Sequence, residues 1–509
     1  MFQRIRTYCL SGIRAIPVSV EVDASPGLPG FTLVGLPDNA VRESRERVVS
    51  AVRSIGKVVT GHRTTVNLSP ADLKKEGALL DLSLAIGLLI ASGEIAVKDP
   101  ERFVFLGELS LDGLLKPVRG VLSVAMSLKS EMDLILIVPK ENLPEASLVE
   151  GLSVFGAESL AECVDFLVNP TSRNYLRAKG LKAISKNTFA EVPDFSDIVG
   201  LETVKRALEI AAAGGHNFLL IGSPGTGKTL SARCLPGILP DMTDEEILES
   251  TTIHSCANAR LSADFQYISV RPFRAPHHSA SMVSLVGGGA RLLPGEASLA
   301  HNGVLFLDEL PEFNRMALEA LREPMESGKI VITRASGSSE WPANFMLGAA
   351  MNPCPCGYAM DSRRGCTCLP EAKKRYREKV SGPLLDRIDL QIAVPSVDAT
   401  SFAEHKKGES SKEIRERVMA AREIQKNRNS FFKPNAALSS KEAVLYAKMN
   451  KATERFAVES AEKLMLSARG YYRLLKVART IADLHHAECV EIVDLLEALQ
   501  YRRLRNFSD

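Results

Sequence analysis

The sequence has 509 residues, of which 45% are hydrophobic and 24% are charged, with a formal net charge of +2. This length suggests about three or four domains, and the near-neutral charge excludes a global basic field, so any contact with nucleic acid has to use local patches. Five of the nine cysteines are scattered along the chain, which favours a reducing, cytoplasmic compartment over a disulfide scaffold.

Residues 1–168 combine short β-like runs with helical stretches, which predicts an α+β domain. The β-like runs are IPVSVEVDA, FTLVGL, RTTVNL and LILIVP. The first residues lack an apolar core followed by small residues, so we expect no signal peptide. The run ALLDLSLAIGLLIASGEIAV contains Asp81 and Glu94 and is too short to cross a bilayer cleanly, which predicts a buried helix and no membrane partner.

The rest of the chain divides into a linker and two further parts. Residues 169–195 are polar and lack apolar periodicity, which is typical of a linker. In residues 196–396, β-runs alternate with helical patterns, which predicts an α/β domain with a parallel sheet. Residues 397–509 are predicted to be helical, with SKEIRERVMAAREIQKNR as a charged amphipathic example.

The stretch FLLIGSPGTGKTLSARCL is the most specific signal in the sequence. An apolar run, 218–221, predicts a buried strand, and Gly222-x-x-x-x-Gly227-Lys228-Thr229 follows it where a helix should begin. This pattern indicates a phosphate loop, in which Lys228 contacts the β- and γ-phosphates and the Thr229 hydroxyl binds Mg²⁺. The alternative is a Gly-rich turn without a ligand. The residues predicted to bind ATP are Gly222, Ser223, Pro224, Gly225, Thr226, Gly227, Lys228, Thr229 and Leu230.

A second apolar run, in NGVLFLDELPEF, ends in two carboxylates. A buried strand would deliver Asp308 and Glu309 to its exposed end beside the phosphate loop. Asp308 would bind Mg²⁺ through water, and Glu309 would polarise the attacking water as general base. The alternative is a strand that ends in solvated acids.

Two segments carry cations among Gly, Pro and Ser and are candidates for DNA contact. The first is an insertion at roughly 254–302, whose composition suits a mobile loop. The second, ESGKIVITRASGSSEWPANF, predicts a hairpin. For each cation the alternative is a solvated surface charge, and adjacent histidines rarely form a metal pair. The cations of the insertion are Arg271, Arg274, His277, His278 and Arg291, and those of the hairpin are Lys329 and Arg334.

Four cysteines lie together in NPCPCGYAMDSRRGCTCLP, directly after Asn352. Clustered thiols in a reducing compartment suit Zn²⁺, and four thiolates would leave no open position for catalysis, so such a site would be structural. The Cys-x-Cys spacing departs from the common zinc-knuckle spacing, and reversible thiol chemistry and plain loop cysteines stay open as alternatives. The candidate ligands are Cys354, Cys356, Cys366 and Cys368.

Six blocks of the sequence together resemble the magnesium-chelatase-like AAA+ ATPases of the YifB/ComM type. They are GGHNFLLIGSPGTGKT, RPFRAPHHSAS, AHNGVLFLDELPEF, AAMNPCPCG, SGPLLDRIDL and RGYYRLLKVARTIADL. The resemblance covers nearly the whole chain and implies an AAA+ P-loop NTPase core with a helical lid. It also implies a hexameric ring that moves along single-stranded or branched DNA, as a helicase or branch-migration motor during recombination or natural transformation. Leu201 departs from the family pattern, which has Gln there, and this concerns the adenine side of the site.

The same resemblance assigns roles to residues outside the phosphate loop. It implies that Asn352 senses the γ-phosphate, although a capping Asn is the common alternative, and that the predicted hairpin lines a central pore. It places an arginine finger at Arg387, which acts on a neighbouring subunit; the alternative is an ion pair with Asp386 or Asp389. It places the second sensor of the lid at Arg469.

The N-terminal part resembles the Lon-protease fold, which is ribosomal S5-like, in GELSLDGLLKPVRGVLSVAMS and KKEGALLDLSLAIGLLIAS. Leu79 stands where Lon-type enzymes carry Ser, and Leu122 stands where they carry Lys. Leucine can neither attack a carbonyl nor take a proton, so the resemblance implies the fold and argues against peptide hydrolysis. Candidate substitutes, for which ordinary structural roles are favoured, are Ser69, Ser83, Lys74 and Lys75.

Two other functions fit the sequence besides a DNA motor. A chelatase-like motor that remodels a protein or helps to insert a metal would hydrolyse ATP at a rate insensitive to DNA. A ring-shaped adaptor, which uses ATP binding to control assembly, would bind ATP and turn it over very slowly.

Overall fold

The described chain has three parts: one built on an eight-stranded sheet, one built on a five-stranded sheet, and a C-terminal set of helices. The computed structural model describes the chain except residues 1, 29, 59–61, 76, 132, 170–174, 182–191, 258–266, 335–336, 362, 397–407, 429–432 and 503–509.

An eight-stranded mixed sheet organises the N-terminal part. The strands of this part are β1 Phe2–Ser11, β2 Arg14–Pro26, β3 Gly30–Val34, β4 His62–Ser69, β5 Phe103–Phe105, β6 Glu108–Leu109, β7 Leu115–Lys116, β8 Ile135–Pro139, β9 Ser153–Ala157 and β10 Leu176–Arg177. The order in the sheet is β10-β9-β8-β5-β1-β2-β4-β3, and β6 pairs with β7 alone. Strand β2 alternates buried apolar residues with more exposed ones from Val18 to Ala24, as expected for an antiparallel strand, and it pairs with β1 as a long antiparallel hairpin.

Five helices cover this sheet: α1 Asn39–Ser54, α2 Asp81–Ala91, α3 Val121–Ser127, α4 Leu143–Ala146 and α5 Leu160–Val168. Every residue of α2 is buried, as the apolar run predicts. The one carboxylate at its start, Asp81, is paired with Nε of Arg47 at 2.7 Å, which satisfies a charge that burial would otherwise disfavour. Across the described part of the chain, every helix is too short or too polar to pass through a membrane.

A five-stranded parallel sheet forms the centre of the second part. The strands of this part are β11 Phe218–Gly222, β12 Phe273–Arg274, β13 Gly287–Gly288, β14 Leu293–Pro294, β15 Val304–Leu307, β16 Lys329–Arg334, β17 Gly337–Pro342, β18 Met346–Met351 and β19 Leu390–Val394. The order in the central sheet is β12-β15-β18-β11-β19, and each neighbouring pair is parallel. All five carboxyl ends therefore meet at one edge, which is where α/β sheets bind ligands.

The helices of the second part are α6 Glu202–Gly214, α7 Lys228–Cys234, α8 Asp244–Ala257, α9 Met282–Val286, α10 Glu296–Leu299, α11 Arg315–Ala320, α12 Pro324–Ser327, α13 Pro370–Glu378 and α14 Gly382–Leu385. The interpretation of 254–302 as a mobile loop is wrong for its described residues. That segment contains α9, α10 and the β13–β14 pair, and its β12 extends the central sheet. Elements of two to five residues are too short to show a periodicity in sequence, and residues 258–266 lie outside the described ones.

The C-terminal part is helical in its described residues, as predicted. Its helices are α15 Ser411–Arg428, α16 Ser440–Ala447, α17 Lys451–Lys463, α18 Ala468–Leu484 and α19 Ile492–Gln500. Helices α15 and α18 pack on α6, and apolar residues from both parts form one cluster, in which Leu208 and Leu475 are both fully buried. The predicted start of this part, 397–407, lies outside the described residues.

The N-terminal part packs on the central part through α3 and α8. Leu79, Leu122 and Ile247 lie in one apolar cluster that spans this contact. At its edge the buried carboxylate of Glu145 accepts hydrogen bonds from the N–H of Leu122 and from the hydroxyl of Ser255. The predicted linker, 169–195, is in part an element of the N-terminal sheet, because β10 pairs with β9; the remainder includes 170–174 and 182–191, which are outside the described residues.

Candidate active site

The phosphate loop joins β11 to α7, as the sequence predicts. Gly225 and Gly227 have φ of 78° and 84°, in the left-handed region that glycine tolerates without strain. Lys228 begins α7 and is buried, and its Nζ donates to the carbonyls of Gly222 and Ser223 at 2.8 Å each. The loop therefore surrounds its own ammonium group.

Lys228 is also tied to the neighbouring strand. Its Nζ donates to Oδ1 of Asn352 at 3.3 Å, and Asn352 follows the carboxyl end of β18 directly. Burial lowers the pKa of Lys228, while the charges of Asp308 and Glu309 oppose that shift. The residue that the family resemblance gives as γ-phosphate sensor thus contacts the residue predicted to bind the same phosphate.

Thr229 and Asp308 contact each other at the start of α7. The Thr229 hydroxyl donates to Oδ2 of Asp308 at 2.6 Å, and Asp308 follows the carboxyl end of β15. A hydroxyl and a carboxylate are oxygen ligands of the kind that Mg²⁺ takes at nucleotide sites. The two residues predicted to hold Mg²⁺ are therefore adjacent.

Glu309 has an unusual backbone and an unforeseen partner. Its φ is 53°, a strained conformation for a non-glycine residue that is often found at functional sites, and its side chain is 57% exposed. Nδ1 of His278 lies 3.2 Å from Oε2 of Glu309, and the rings of His277 and His278 stand 4.0 Å apart. From the sequence, His277 and His278 were predicted to contact DNA. Nothing in the Pro-His-His stretch indicates that His278 contacts Glu309.

Two further contacts of the phosphate loop are a hydrogen bond within the loop and an apolar neighbour, Leu201. The Thr226 hydroxyl donates to the carbonyl of Ser223 at 2.9 Å, and Leu230 is exposed on α7. Leu201, which departs from the family pattern, is buried beside Gly227. A Cβ added at Gly227 would lie 3.6 Å from Cδ1 of Leu201. An apolar contact therefore borders the loop at this position.

All nine cysteines are free thiols, and four of them meet next to the phosphate loop. The Sγ atom of Cys354 lies 3.4 Å from that of Cys356, and the Sγ atom of Cys366 lies 3.7 Å from both. The Sγ of Cys368 accepts from the N–H of Cys356 at 3.3 Å, and the four sulfurs all lie within 4.8 Å of one another. The two Cys-x-Cys pairs, which are separate in the sequence, therefore bring their four sulfur atoms together in the fold.

Arg387 lies at the amino edge of the central sheet, opposite the phosphate loop. Its carbonyl accepts from the side chain of Asn217, the residue before β11, at 3.1 Å, whereas the loop follows the other end of that five-residue strand, about 16 Å away. The guanidinium pairs with Glu326 at 2.5 Å rather than with Asp386 or Asp389.

Two arginines of the C-terminal helix α18 lie beside the Arg387–Glu326 pair. Arg469 is 72% exposed and reaches the same oxygen of Glu326 at 3.5 Å, while Arg473 donates to Asp389 at 2.6 Å. Burial lowers the pKa of Arg387, against the charge of Glu326. Its Nε is buried without a hydrogen-bond partner within the described structure, an incomplete arrangement for a buried cation.

The arginines of the insertion are engaged in ion pairs. Arg274 makes two bonds to Glu296, at 2.6 and 2.8 Å, and Arg271 pairs with Glu246 at 2.9 Å. Arg291 is exposed and lines a cavity of about 360 Å³ between the first two parts of the chain. Since paired guanidinium groups have less charge to offer a phosphate, these contacts favour structural roles for Arg271 and Arg274.

The predicted hairpin is present as β16 and β17. Its register pairs Lys329 with Pro342 at the base and Arg334 with Gly337 at the tip. Lys329 lies 3.5 Å from Glu340 on the facing strand, and Arg334 is exposed. Both cations are exposed, and Arg334 is the one at the tip end of the hairpin and without Glu340 as a partner.

Comparison with known proteins gives family matches to all three parts. The family described as "Magnesium chelatase, subunit ChlI" matches residues 194–402, "Subunit ChlI of Mg-chelatase" matches 20–142, and "Magnesium chelatase, subunit ChlI C-terminal" matches 408–502. The chain is 45% identical over 499 residues to Competence protein ComM of Haemophilus influenzae, which covers 97% of this chain and 96% of that protein. It is also 45% identical over 502 residues to the uncharacterized protein YifB of Escherichia coli, with 98% and 97% coverage. A more distant relative, 28% identical over 165 residues, is the magnesium-chelatase 67 kDa subunit of Chlorobaculum parvum; the match covers 31% of this chain and 23% of that protein.

Proposed function

The chain belongs to the YifB/ComM family of magnesium-chelatase-like AAA+-type ATPases, and we propose that it forms a ring that uses ATP hydrolysis to move DNA. The observation that carries the proposal is the convergence of Lys228, Thr229, Asp308, Glu309 and Asn352 at the carboxyl edge of one parallel sheet. Lys228 and Thr229 come from the loop and the start of α7, Asp308 and Glu309 from the end of β15, and Asn352 from the end of β18, so the fold holds them together.

In this proposal each group has one role in hydrolysis. Lys228 would bind the β- and γ-phosphates, and Thr229 and Asp308 would hold Mg²⁺, which would supply charge neutralisation for the phosphates. Glu309 accepts a proton from a water whose oxygen attacks the γ-phosphorus, and the bond from that phosphorus to the β–γ bridging oxygen breaks, releasing ADP and phosphate. Asn352 orients the γ-phosphate beside Lys228.

The position of the arginines supports a ring, with six subunits in the proposal. Arg387 lies at the amino edge of the sheet, about a full strand length from the loop of its own chain, so in this proposal it serves the site of a neighbour. Arg387 and the exposed Arg469 both contact Glu326, and the phosphates of an adjacent subunit would take the place of that carboxylate. In this proposal both arginines report nucleotide state across the subunit boundary.

DNA is proposed as the substrate on two grounds. One relative is named a competence protein, and the β16–β17 hairpin presents Arg334 at an exposed tip. We propose that the hairpins line the pore of the ring and contact single-stranded or branched DNA, so that the motor unwinds it or migrates a branch during recombination or natural transformation. His277 and Lys329 are secondary candidates for this contact.

The N-terminal part is proposed to have the Lon-like fold without peptidase activity. Leu79 and Leu122 are buried in one apolar cluster, as expected if they fill the space of a lost catalytic pair. Of the candidate substitutes, Ser83 donates to the carbonyl of Leu80, and Lys75 donates to that of Pro70, so both have structural partners. A role in docking partners or in shaping the ring fits this part better than proteolysis.

A motor that remodels a protein, as in a chelatase, is the second candidate. The family descriptions and the pairing of Arg271 and Arg274 with carboxylates favour it, because these pairs reduce the cations available to DNA.

Steady-state ATP hydrolysis by the full chain, with and without single-stranded and forked DNA, separates the two candidates. The DNA motor predicts stimulation of several-fold by DNA, and no hydrolysis by the Lys228→Ala variant. Hydrolysis that depends on Lys228 and does not respond to any DNA would contradict the DNA assignment and support a protein substrate.

A further inference from the structure

The four cysteines fit one zinc ion by distance as well as by type. With a Zn–S bond of about 2.3 Å, the sulfurs of a tetrahedral site are about 3.8 Å apart. The three Sγ–Sγ distances among Cys354, Cys356 and Cys366 are 3.4, 3.7 and 3.7 Å. A disulfide would bring one pair to about 2.05 Å instead, so the cluster has the dimensions of a metal site.

The cysteine loop, residues 352–369, has little regular backbone structure to stabilise it. Its described residues between β18 and α13 form turns and no helix or strand, so they lack a ladder of backbone hydrogen bonds. A metal that gathers four thiolates supplies the folding free energy that such a segment needs.

The same loop packs directly on the phosphate loop. Gly357 has φ of 86°, and a Cβ there would lie 2.6 Å from Cδ of Pro224, so only glycine permits this approach. Gly357 of the cysteine loop therefore lies directly against Pro224 of the phosphate loop.

The opposite ends of the loop are also anchored in the nucleotide site. Cys354 comes two residues after Asn352, which contacts Lys228. The other end leads into α13, whose Tyr376 lines one pocket together with Glu309 and Asn352. The cysteine loop therefore begins beside Asn352, packs on the phosphate loop and ends close to Asn352 again.

From these contacts we propose that Cys354, Cys356, Cys366 and Cys368 bind one Zn²⁺ and that this zinc site positions the phosphate loop, so that zinc occupancy sets nucleotide affinity. The inference rests on the proposed ATP site. Zinc takes no part in the chemistry, since four thiolates leave it no open position. Its effect is to fix Pro224 and Asn352 before the nucleotide arrives, which lowers the entropic cost of binding.

Zinc content and nucleotide affinity, measured on the same preparations, test the proposal. We expect one zinc per chain by elemental analysis, and loss of zinc with an increase of about tenfold in the Kd of a fluorescent ADP in Cys366→Ser. The matched control is Cys489→Ser, since Cys489 is an exposed free cysteine outside the cluster; it should keep both zinc and affinity.

A second variant separates positioning from folding. Gly357→Ala keeps all four thiolates but places a Cβ 2.6 Å from Cδ of Pro224, which displaces the phosphate loop, so we expect a full complement of zinc and a Kd raised several-fold. Normal affinity in both Gly357→Ala and zinc-free Cys366→Ser would overturn the coupling. Wild type free of zinc, or with disulfides found by thiol titration, would overturn the metal site, while ATP hydrolysis by that same protein would leave the proposed function standing.

Discussion

At the scale of single residues, the contact between His278 and Glu309 has the clearest consequence. Glu309 projects from a left-handed backbone and is more than half exposed, so little besides Nδ1 of His278, at 3.2 Å, restricts its side chain. A general base has to lie within hydrogen-bond reach of the attacking water. We therefore infer that His278 positions Glu309 and links the insertion to hydrolysis.

Replacing His278 by Gln should lower kcat for ATP hydrolysis about tenfold, because a misplaced base costs rate, while KM for ATP stays near its wild-type value. His277→Gln is the matched control, since His277 bonds to Ser279 instead and its loss should change kcat little. Steady-state kinetics over a range of ATP concentrations gives both constants. Unchanged kcat in His278→Gln would show that the contact has no role in positioning.

Some of these residues can be predicted from a sequence pattern, and some of their contacts cannot. Lys228, Thr229 and Asp308 could be predicted because each follows an apolar run in a spacing that the chemistry requires. The contact of His278 with Glu309 and the pairing of Arg387 with Glu326 could not, because both join residues far apart in the chain. Tertiary packing alone brings such residues together.

At the scale of elements, whether a strand or helix could be predicted from the sequence depended on how many residues it contains. Strands β11, β15 and β18, the apolar helix α2 and the β16–β17 hairpin were predicted, since each contains enough residues to show a pattern. The two-residue strand β12 was missed, which made a structured insertion look like a loop. Arg274 was assigned to DNA for that reason, although it pairs with Glu296 beside this strand.

The hairpin is the element on which the DNA proposal depends most. Arg334→Ala should weaken binding to single-stranded DNA several-fold and reduce the salt dependence of binding by about one unit of slope, as expected for the loss of a phosphate contact. ATP hydrolysis without DNA should not change, because the hairpin precedes the amino end of β18, whereas the phosphate loop follows the carboxyl end of the parallel strand β11. Fluorescence anisotropy at several salt concentrations measures both quantities.

Lys329→Ala is the control for that variant. Lys329 lies at the base of the same hairpin and is paired with Glu340, so its removal should affect DNA binding less than the removal of Arg334. Equal losses in the two variants would mean that general charge, and not the tip, determines the affinity.

At the scale of the whole molecule, the proposed ring rests on the positions of two groups in the central sheet. The phosphate loop and Arg387 lie at opposite ends of β11, so in the proposal a complete site takes the loop from one subunit and the arginine from the next. The central part and the lid share one apolar cluster, through which we expect movement of one to reach the other.

Mixed rings test this arrangement. Lys228→Ala and Arg387→Ala should each be inactive as pure rings, and rings of both, purified through two different tags, should regain about a quarter of wild-type ATP hydrolysis by random placement. In those sites an intact Lys228 faces an intact Arg387 from the adjacent subunit. If Arg387 acted within its own chain, every subunit would carry a defect and no activity would return.

The most direct test of the whole account is strand exchange on a labelled three-strand DNA junction with ATP and Mg²⁺, comparing the wild type with Lys228→Ala. The account predicts that the wild type moves the junction and that Lys228→Ala does not, since loss of the phosphate-loop cation removes the motor. ATP hydrolysis by the wild type without any movement of the junction would contradict the account and point to a protein substrate.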